Sequence, residues 1–274
     1  MSQNYNNSNC LRYYDAANKR LVYLDAGVGK EFWDDHWQEH NLEALAQKPP
    51  KHRWILGVTG KYVPPGGRIL EGGSGLGHKV HALHKAGYDA VGVDYIDKTL
   101  AWSRETWKPA TFVQGDVREL PFDDNSFDGY WSFGVIEHFY DGYESILSEM
   151  HRVLKPGGHV MCTFPAMTGI RHAKVRKEGY DQWEESEEKL EKFFQFALDP
   201  ASVVGDFEKL GFDLVKNQGI GSLSGWPEEN PLVKTITDNV RKLPFGLLSK
   251  FNVVMDPMIG DYFGHSVLLV MRKT

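Results

Sequence analysis

Ile69-Leu70-Glu71-Gly72-Gly73-Ser74-Gly75-Leu76-Gly77 ends a short apolar run and opens a helical pattern, and the fold turns on how it is read. Glycines at 73, 75 and 77 permit positive φ and let a ligand lie against bare backbone. In an open parallel sheet such a turn sits beyond the carboxyl end of its strand, near a switch point where ligands bind. The dinucleotide fingerprint G-x-G-x-x-G does not fit. Counted from Gly73 its third glycine falls on His78, and from Gly75 on Val80. No Gly-Lys-Ser/Thr follows, so a triphosphate-binding loop is disfavoured as well.

Outward from this loop the sequence alternates short apolar runs with helical patterns. Runs at 68–71, 90–94, 111–114, 127–132 and 159–164 read as five strands. Ile146, Leu147, Met150, Val153 and Leu154 form the buried stripe of a helix stopped by Pro156-Gly157-Gly158. Asp199-Pro200 caps and begins another helix, with Val203, Val204, Phe207 and Leu210 inside, and runs at 212–215 and 265–271 finish as strands. This rhythm predicts an α/β fold, a Rossmann-like doubly wound sheet with right-handed crossovers. Residues 1–65 are expected to be a helical lid, with one amphipathic helix carrying Trp33, Trp37, Leu42 and Leu45 and ending at Pro49-Pro50. The main domain is expected over 66–274, with cap-like insertions at about 166–198 and 219–262.

Acidic residues narrow the ligand. Glu71 precedes the glycines, where it would repel a pyrophosphate and hold an ammonium group. Asp94 ends the second strand, placed to accept from two ribose hydroxyls. Asp116 ends the third strand, placed to accept from an adenine amino group, with Val117 and Tyr95 flanking the ring. The ligand so described has a ribose, a base and a positive amino group, and no phosphates.

With these residues in place the sequence resembles the class I S-adenosylmethionine-dependent methyltransferases, of the small-molecule, methyltransferase-11-like type. The resemblance runs through Glu71–Gly77, Val91-Gly92-Val93-Asp94, Gln114-Gly115-Asp116-Val117, Leu120–Asp128, Glu137-His138 and Glu149–Gly158. It covers about residues 68 to 165 closely and the remainder more loosely. It implies a seven-stranded, mostly parallel sheet with an antiparallel last strand, and S-adenosyl-L-methionine as cofactor. By position, Glu71, Gly72, Gly73, Ser74, Gly75 and Gly77 would hold the methionine part, Asp94 the ribose, and Asp116 with Val117 the adenine. Ser132 and Phe133 would line the sulfonium side.

Methyl transfer from a sulfonium is an in-line displacement, so positioning and desolvating the acceptor supply much of the rate. A base matters where the acceptor carries a proton, and His138, after the fourth strand, is the best-placed candidate. His36-Trp37-Gln38-Glu39-His40 spells H-x-x-E-H, but no further acid-bearing helix completes a zinc site. His78, His81 and His84 are three apart and fan too widely for one tetrahedral ion, so no metal is expected.

The acceptor is expected to be a small organic molecule, methylated at oxygen or nitrogen. Trp131-Ser132-Phe133-Gly134 stands where DNA amino-methyltransferases carry Asn/Asp-Pro-Pro-Tyr/Phe, and the formal charge of −6 offers no footprint for duplex DNA. The basic run Arg171, His172, Lys174, Arg176 and Lys177 suits a phosphate or carboxylate on the acceptor, or only water. No apolar run reaches the ~18 residues of a membrane span. The first residues lack a basic and then apolar leader, and Cys10 and Cys162 are too few for a disulfide framework, so a cytoplasmic protein is expected. Two alternatives stay open. One is a non-catalytic or regulatory protein that keeps the cofactor site. The other is an aminopropyl transferase using the decarboxylated cofactor.

Overall fold

The structure, a computed structural model, describes residues 10–25, 42–230, 233 and 245–274. A hairpin of β1 (Leu11–Asp15) and β2 (Arg20–Leu24) comes first. Two helices follow, α1 (Leu42–Gln47) and α2 (Arg53–Tyr62). The alternating core then runs β3 (Arg68–Gly72), α3 (His78–Lys85), β4 (Asp89–Asp94), α4 (Asp97–Thr106), β5 (Thr111–Gln114), β6 (Phe127–Phe133), α5 (Glu144–Val153) and β7 (Leu154–Pro165). An insertion holds α6 (Gly169–Val175), β8 (Asp181–Gln182), α7 (Glu187–Glu191) and β9 (Phe193–Ala197). The chain closes with α8 (Pro200–Lys209), β10 (Phe212–Ile220), α9 (Ser222–Glu229), α10 (Phe245–Phe263) and β11 (Ser266–Lys273).

Seven strands pair in the order β10-β11-β7-β6-β3-β4-β5, parallel except β11, which runs against both β7 and β10. This is the doubly wound sheet with one antiparallel strand that the sequence predicts. Its cohesion is apolar. Ile146, Leu147, Met150 and Val153 of α5 are fully buried, as are Tyr130, Val160 and Leu269 from the strands they cover. Leu154, expected as the last of the α5 stripe, already belongs to β7, which starts five residues ahead of His159 and passes through Pro156-Gly157-Gly158. The pairing of β6 with β7 is irregular between Phe127 and Gly129, which accommodates that early start. Asp199 is extended at ψ 116° before Pro200, the geometry that begins a helix without wasting an amide.

The leading segment differs from the helical lid expected. Residues 11–24 form strands, and they pair with the insertion: β8-β1-β2-β9 make a second, four-stranded sheet. The turn at 15–20 explains the hairpin. Asp15 accepts from the Asn18 amide and the Arg20 guanidinium, and Lys19 takes φ 53°. Val22 and Leu24 join the main core with Phe196 and Leu198, while Leu21 and Tyr23 pack with Met167, Tyr180 and Phe194 on the other face. The expected helix carrying Trp33 and Trp37 lies outside the described residues except for its end at α1, as does the His36–His40 motif.

A buried ion cluster closes the small sheet against α9. Arg171 is fully buried and donates to Glu228 Oε2 at 3.0 Å and to Glu229 Oε1 at 3.2 Å. Arg12 Nη1 lies 2.6 Å from Glu229 Oε1, Lys174 Nζ 3.1 Å from Glu229 Oε2, and His265 Nδ1 2.7 Å from Glu228 Oε2. Both glutamates end a helix, where the backbone dipole disfavours anions, so Arg171, Arg12 and Lys174 supply their compensation. Desolvation works against both carboxylates, yet His265 and Arg171 facing Glu228, and Arg171 and Arg12 facing Glu229, hold both below the usual range.

Candidate functional site

The loop after β3 is anchored at both ends by backbone hydrogen bonds. Ser74 N donates to Val93 O at 2.9 Å and Gly77 N to Ser74 O at 3.0 Å. Gly73 and Gly77 adopt φ 70° and 68°, and a Cβ there would lie 2.7 Å from Val135 and 2.3 Å from Phe112. These two glycines therefore serve close packing by the chain's own side chains, a reason the sequence does not display. Trp107 Nε1 donates to Leu76 O at 2.6 Å, fixing the far side of the loop from the end of α4.

Asp94 ends β4, nearly buried. Its Oδ2 accepts from Gly75 N at 2.8 Å and its Oδ1 from Ile96 N at 3.1 Å. Burial raises this carboxyl above its usual range, with the Gly75 and Ile96 amides acting in opposition. Glu71 is buried at the end of β3 and pairs with Lys79 Nζ at 2.7 Å. Its carboxyl is raised too, because desolvation outweighs the pull of Lys79. Ser132 and Phe133 end β6 beside β3. Ser132 is buried opposite Cys162, and Phe133 stacks on Trp131 with centroids 4.4 Å apart.

The adenine end departs from expectation in two places. Asp116 is clamped by Arg118, with Nη2 2.6 Å from Oδ2 and the Arg118 amide 2.8 Å from Oδ1. That contact holds its carboxyl below the usual range. Val117, expected beside a ring, is buried in the main core with Leu120 and Ile136. Tyr95 does stand out, at 58% exposure, with its carbonyl accepting from Gln114.

His138 closes a single 3-10 turn, Ile136–His138, and its Nδ1 lies 2.7 Å from the carbonyl of Phe194 on β9. A carbonyl only accepts, so Nδ1 carries a proton and donates it to Phe194. His138 lines a cavity of about 490 Å³ together with Arg118, Tyr140 and Glu144. Glu137 beside it is buried, and desolvation lifts its carboxyl to about 8. Among the described residues no group of three or more His, Cys, Asp or Glu is placed to hold a metal ion.

The structure brings Glu71, the glycine loop, Asp94, Ser132 and Phe133 to the carboxyl ends of three adjacent strands, with His138 just beyond. Sequence reading missed Lys79 and Arg118, and it named Glu137 only within the motif Glu137-His138, without its burial. Only Lys79 leaves a sequence signal, as a cation in the first turn of a helix, where the dipole disfavours it. The arrangement fits a sulfonium nucleoside on observations of its own. Ser74 Oγ is buried with no hydrogen-bond partner among the described residues, and the carboxylates of Glu71 and Asp94 flank the loop.

Comparison with known proteins agrees. Residues 70–162 match a family described as a methyltransferase domain. The sterol 24-C-methyltransferase of Schizosaccharomyces pombe is 31% identical over 153 residues, 53% of this chain and 39% of that protein. The demethylmenaquinone methyltransferase of Staphylococcus carnosus is 36% identical over 124 residues, 43% of this chain and 50% of that one. The chain thus spans half or less of the length of the curated relatives it matches. Among solved structures, the PH0226 protein of Pyrococcus horikoshii superposes with a TM-score of 0.56 at 19% identity, covering 88% of this chain and 99% of that one. A Haloferax volcanii putative methyltransferase solved with the Trm112 activator gives the same TM-score at 18% identity, covering 88% of this chain and 96% of that one. Residues 70–162 are thus similar to a methyltransferase domain, within a fold shared with these solved structures. S-adenosylmethionine is the cofactor that this similarity indicates. Among the described residues no helix is long and apolar enough to cross a membrane.

Proposed function

We propose that this chain moves a methyl group from S-adenosylmethionine to an oxygen or nitrogen atom of a small organic acceptor by in-line displacement, in the cytoplasm and without DNA as substrate. The observation that carries the reading is His138, which donates from Nδ1 to Phe194 and lines an open cavity with Arg118, Tyr140 and Glu144 just after β6. A protonated oxygen or nitrogen nucleophile needs such a base, and a neutral imidazole is competent near pH 7.

The roles follow from position. Glu71, Gly72, Gly73, Ser74, Gly75 and Gly77 hold the amino-acid part, and Asp94 the ribose. Tyr95 and Asp116 meet the adenine, with Arg118 competing for Asp116 and Val117 backing them from the core. Ser132 and Phe133 line the sulfonium side, where the Trp131–Phe133 stack keeps water from the reacting carbon. When bound, the cofactor supplies a methyl group on a positively charged sulfur. His138 Nε2 accepts the acceptor's proton as the new bond forms.

The names of the curated relatives speak of a sterol and of demethylmenaquinone, and the first places its methyl on a carbon. A carbon acceptor is the second reading, and in it His138 need not act as base. Transfer of a labelled methyl group to a panel of acceptors separates the two. With an oxygen or nitrogen acceptor, His138→Ala should lower turnover by about 10²- to 10⁴-fold while cofactor affinity is kept. Unchanged turnover in that variant removes the base. Cofactor binding that Asp94→Ala abolishes, with no acceptor methylated, would favour a regulatory protein.

A further inference from the structure

Lys79 stands in the first turn of α3, yet its side chain does not reach for water. It is 16% exposed, and its Nζ lies 2.7 Å from Glu71 Oε1 and 5.1 Å from the centre of the Phe133 ring. Lysines ordinarily bury their stem and keep the ammonium solvated. This one turns inward between two residues assigned above to the donor's amino-acid and sulfonium side. Its charge also bears on Asp94. Ionised Glu71 and Asp94 with Lys79 leave one net negative charge around the loop.

That charge set discriminates between donors. S-adenosylmethionine carries a sulfonium, an ammonium and a carboxylate, one net positive charge that balances the site. Its zwitterionic end can replace the single Glu71–Lys79 pair by two, ammonium on Glu71 and carboxylate on Lys79. A decarboxylated donor brings only the ammonium. By taking Glu71 it leaves Lys79 largely buried without a counter-ion, which is costly. An unpaired buried charge is a means of rejecting the wrong ligand. We propose that Lys79 is the specificity-determining residue of the donor site: it receives the donor's α-carboxylate and selects a nucleoside bearing the whole amino acid over its decarboxylated counterpart. The inference rests on the donor reading given above.

Calorimetric titration of the full chain with S-adenosylmethionine and with its decarboxylated form tests it, for the wild type, Lys79→Met and Lys79→Arg. The wild type should prefer the carboxylated donor by at least about tenfold, the worth of one charge-assisted hydrogen bond. Lys79→Met should lose that preference by weakening for the carboxylated donor alone, and Lys79→Arg should keep most of it. If Lys79→Met fails to fold, Glu71→Gln/Lys79→Met removes the whole pair without leaving a buried carboxylate unmatched, and it should show the same lost preference. A preference unchanged in the folded Lys79 variant overturns the proposal. A wild type that binds neither donor overturns the donor reading itself, and this inference with it.

Discussion

The two sheets of this molecule are closed by different means. Around the seven-stranded sheet, Leu70, Val93, Tyr130, Met150 and Leu269 are buried side chains of one continuous apolar core. The four-stranded sheet shares that core through Val22, Leu24 and Phe196, but its attachment to α9 runs through Arg12, Arg171 and Lys174 around Glu228 and Glu229. An apolar core tolerates loss of one contact in proportion to the area lost. A buried ion cluster does not, because removing one partner strands the rest. The small sheet should therefore be the brittle part of the protein, although it supplies the carbonyl that orients His138.

Arg171→Met is the strongest way to break this comparison. It leaves Glu228 and Glu229 short of one buried cation and should cost about 3–5 kcal/mol. Hydrogen exchange should show protection lost over 11–24 and 193–197 first, while 68–72 and 127–133 stay protected. Loss spread evenly over both sheets would mean that they unfold as one unit. The cluster also fixes the sign of its pH response. Both glutamates have depressed carboxyl pKa values in the folded state. Their stabilisation is present above the ordinary carboxylate range and is lost as pH falls below it.

Gly77→Ala tests the large sheet by its tightest turn. A side chain at φ 68° costs about 1–2 kcal/mol for the left-handed backbone, and crowding Phe112 adds roughly 1–3 kcal/mol. Thermal unfolding should register that loss, and cofactor titration should weaken with it. A variant that binds as the wild type does would show that the loop yields without disturbing the site.

Glu137→Gln is the gentlest change and has the opposite pH signature to the ion cluster. A carboxyl raised to about 8 by burial contributes stability that is complete below about pH 4.5 and is lost as pH rises towards 8. The amide, neutral throughout, should raise Tm at pH 8 by roughly 2–4 °C for each kcal/mol relieved, and by less at pH 5. Equal gains at both pH values would mean that burial does not raise the Glu137 carboxyl in the folded protein.

How much of this was legible in the sequence follows the same division. The strand at 111–114 falls where its sequence places it, and those at 68–72, 89–94 and 127–133 extend by one residue at one end. Each is a compact apolar run between turn residues, needing no distant partner to be recognised. The small sheet is assembled from segments about 170 residues apart, and β8 is only two residues long, so no local pattern announces it. The Asn18-Lys19 turn between Leu11–Asp15 and Arg20–Leu24 was the one available hairpin signal. At the site, Glu71, Asp94 and Ser132 stand at strand ends as their spacing requires. The Asp116–Arg118 clamp, the inward turn of Lys79 and the burial of Glu137 depend on side-chain direction, which spacing does not encode.

The Nδ1 of His138 donates to a main-chain carbonyl of β9. Substitution at Phe194 leaves that carbonyl in place, so sequence drift across the small sheet can proceed while the imidazole keeps its orientation. A one-residue insertion or deletion between α7 and β9 would shift the strand and remove the carbonyl from reach. Homologues should therefore vary in residue identity over 193–197 far more freely than in the length of the segment leading to it.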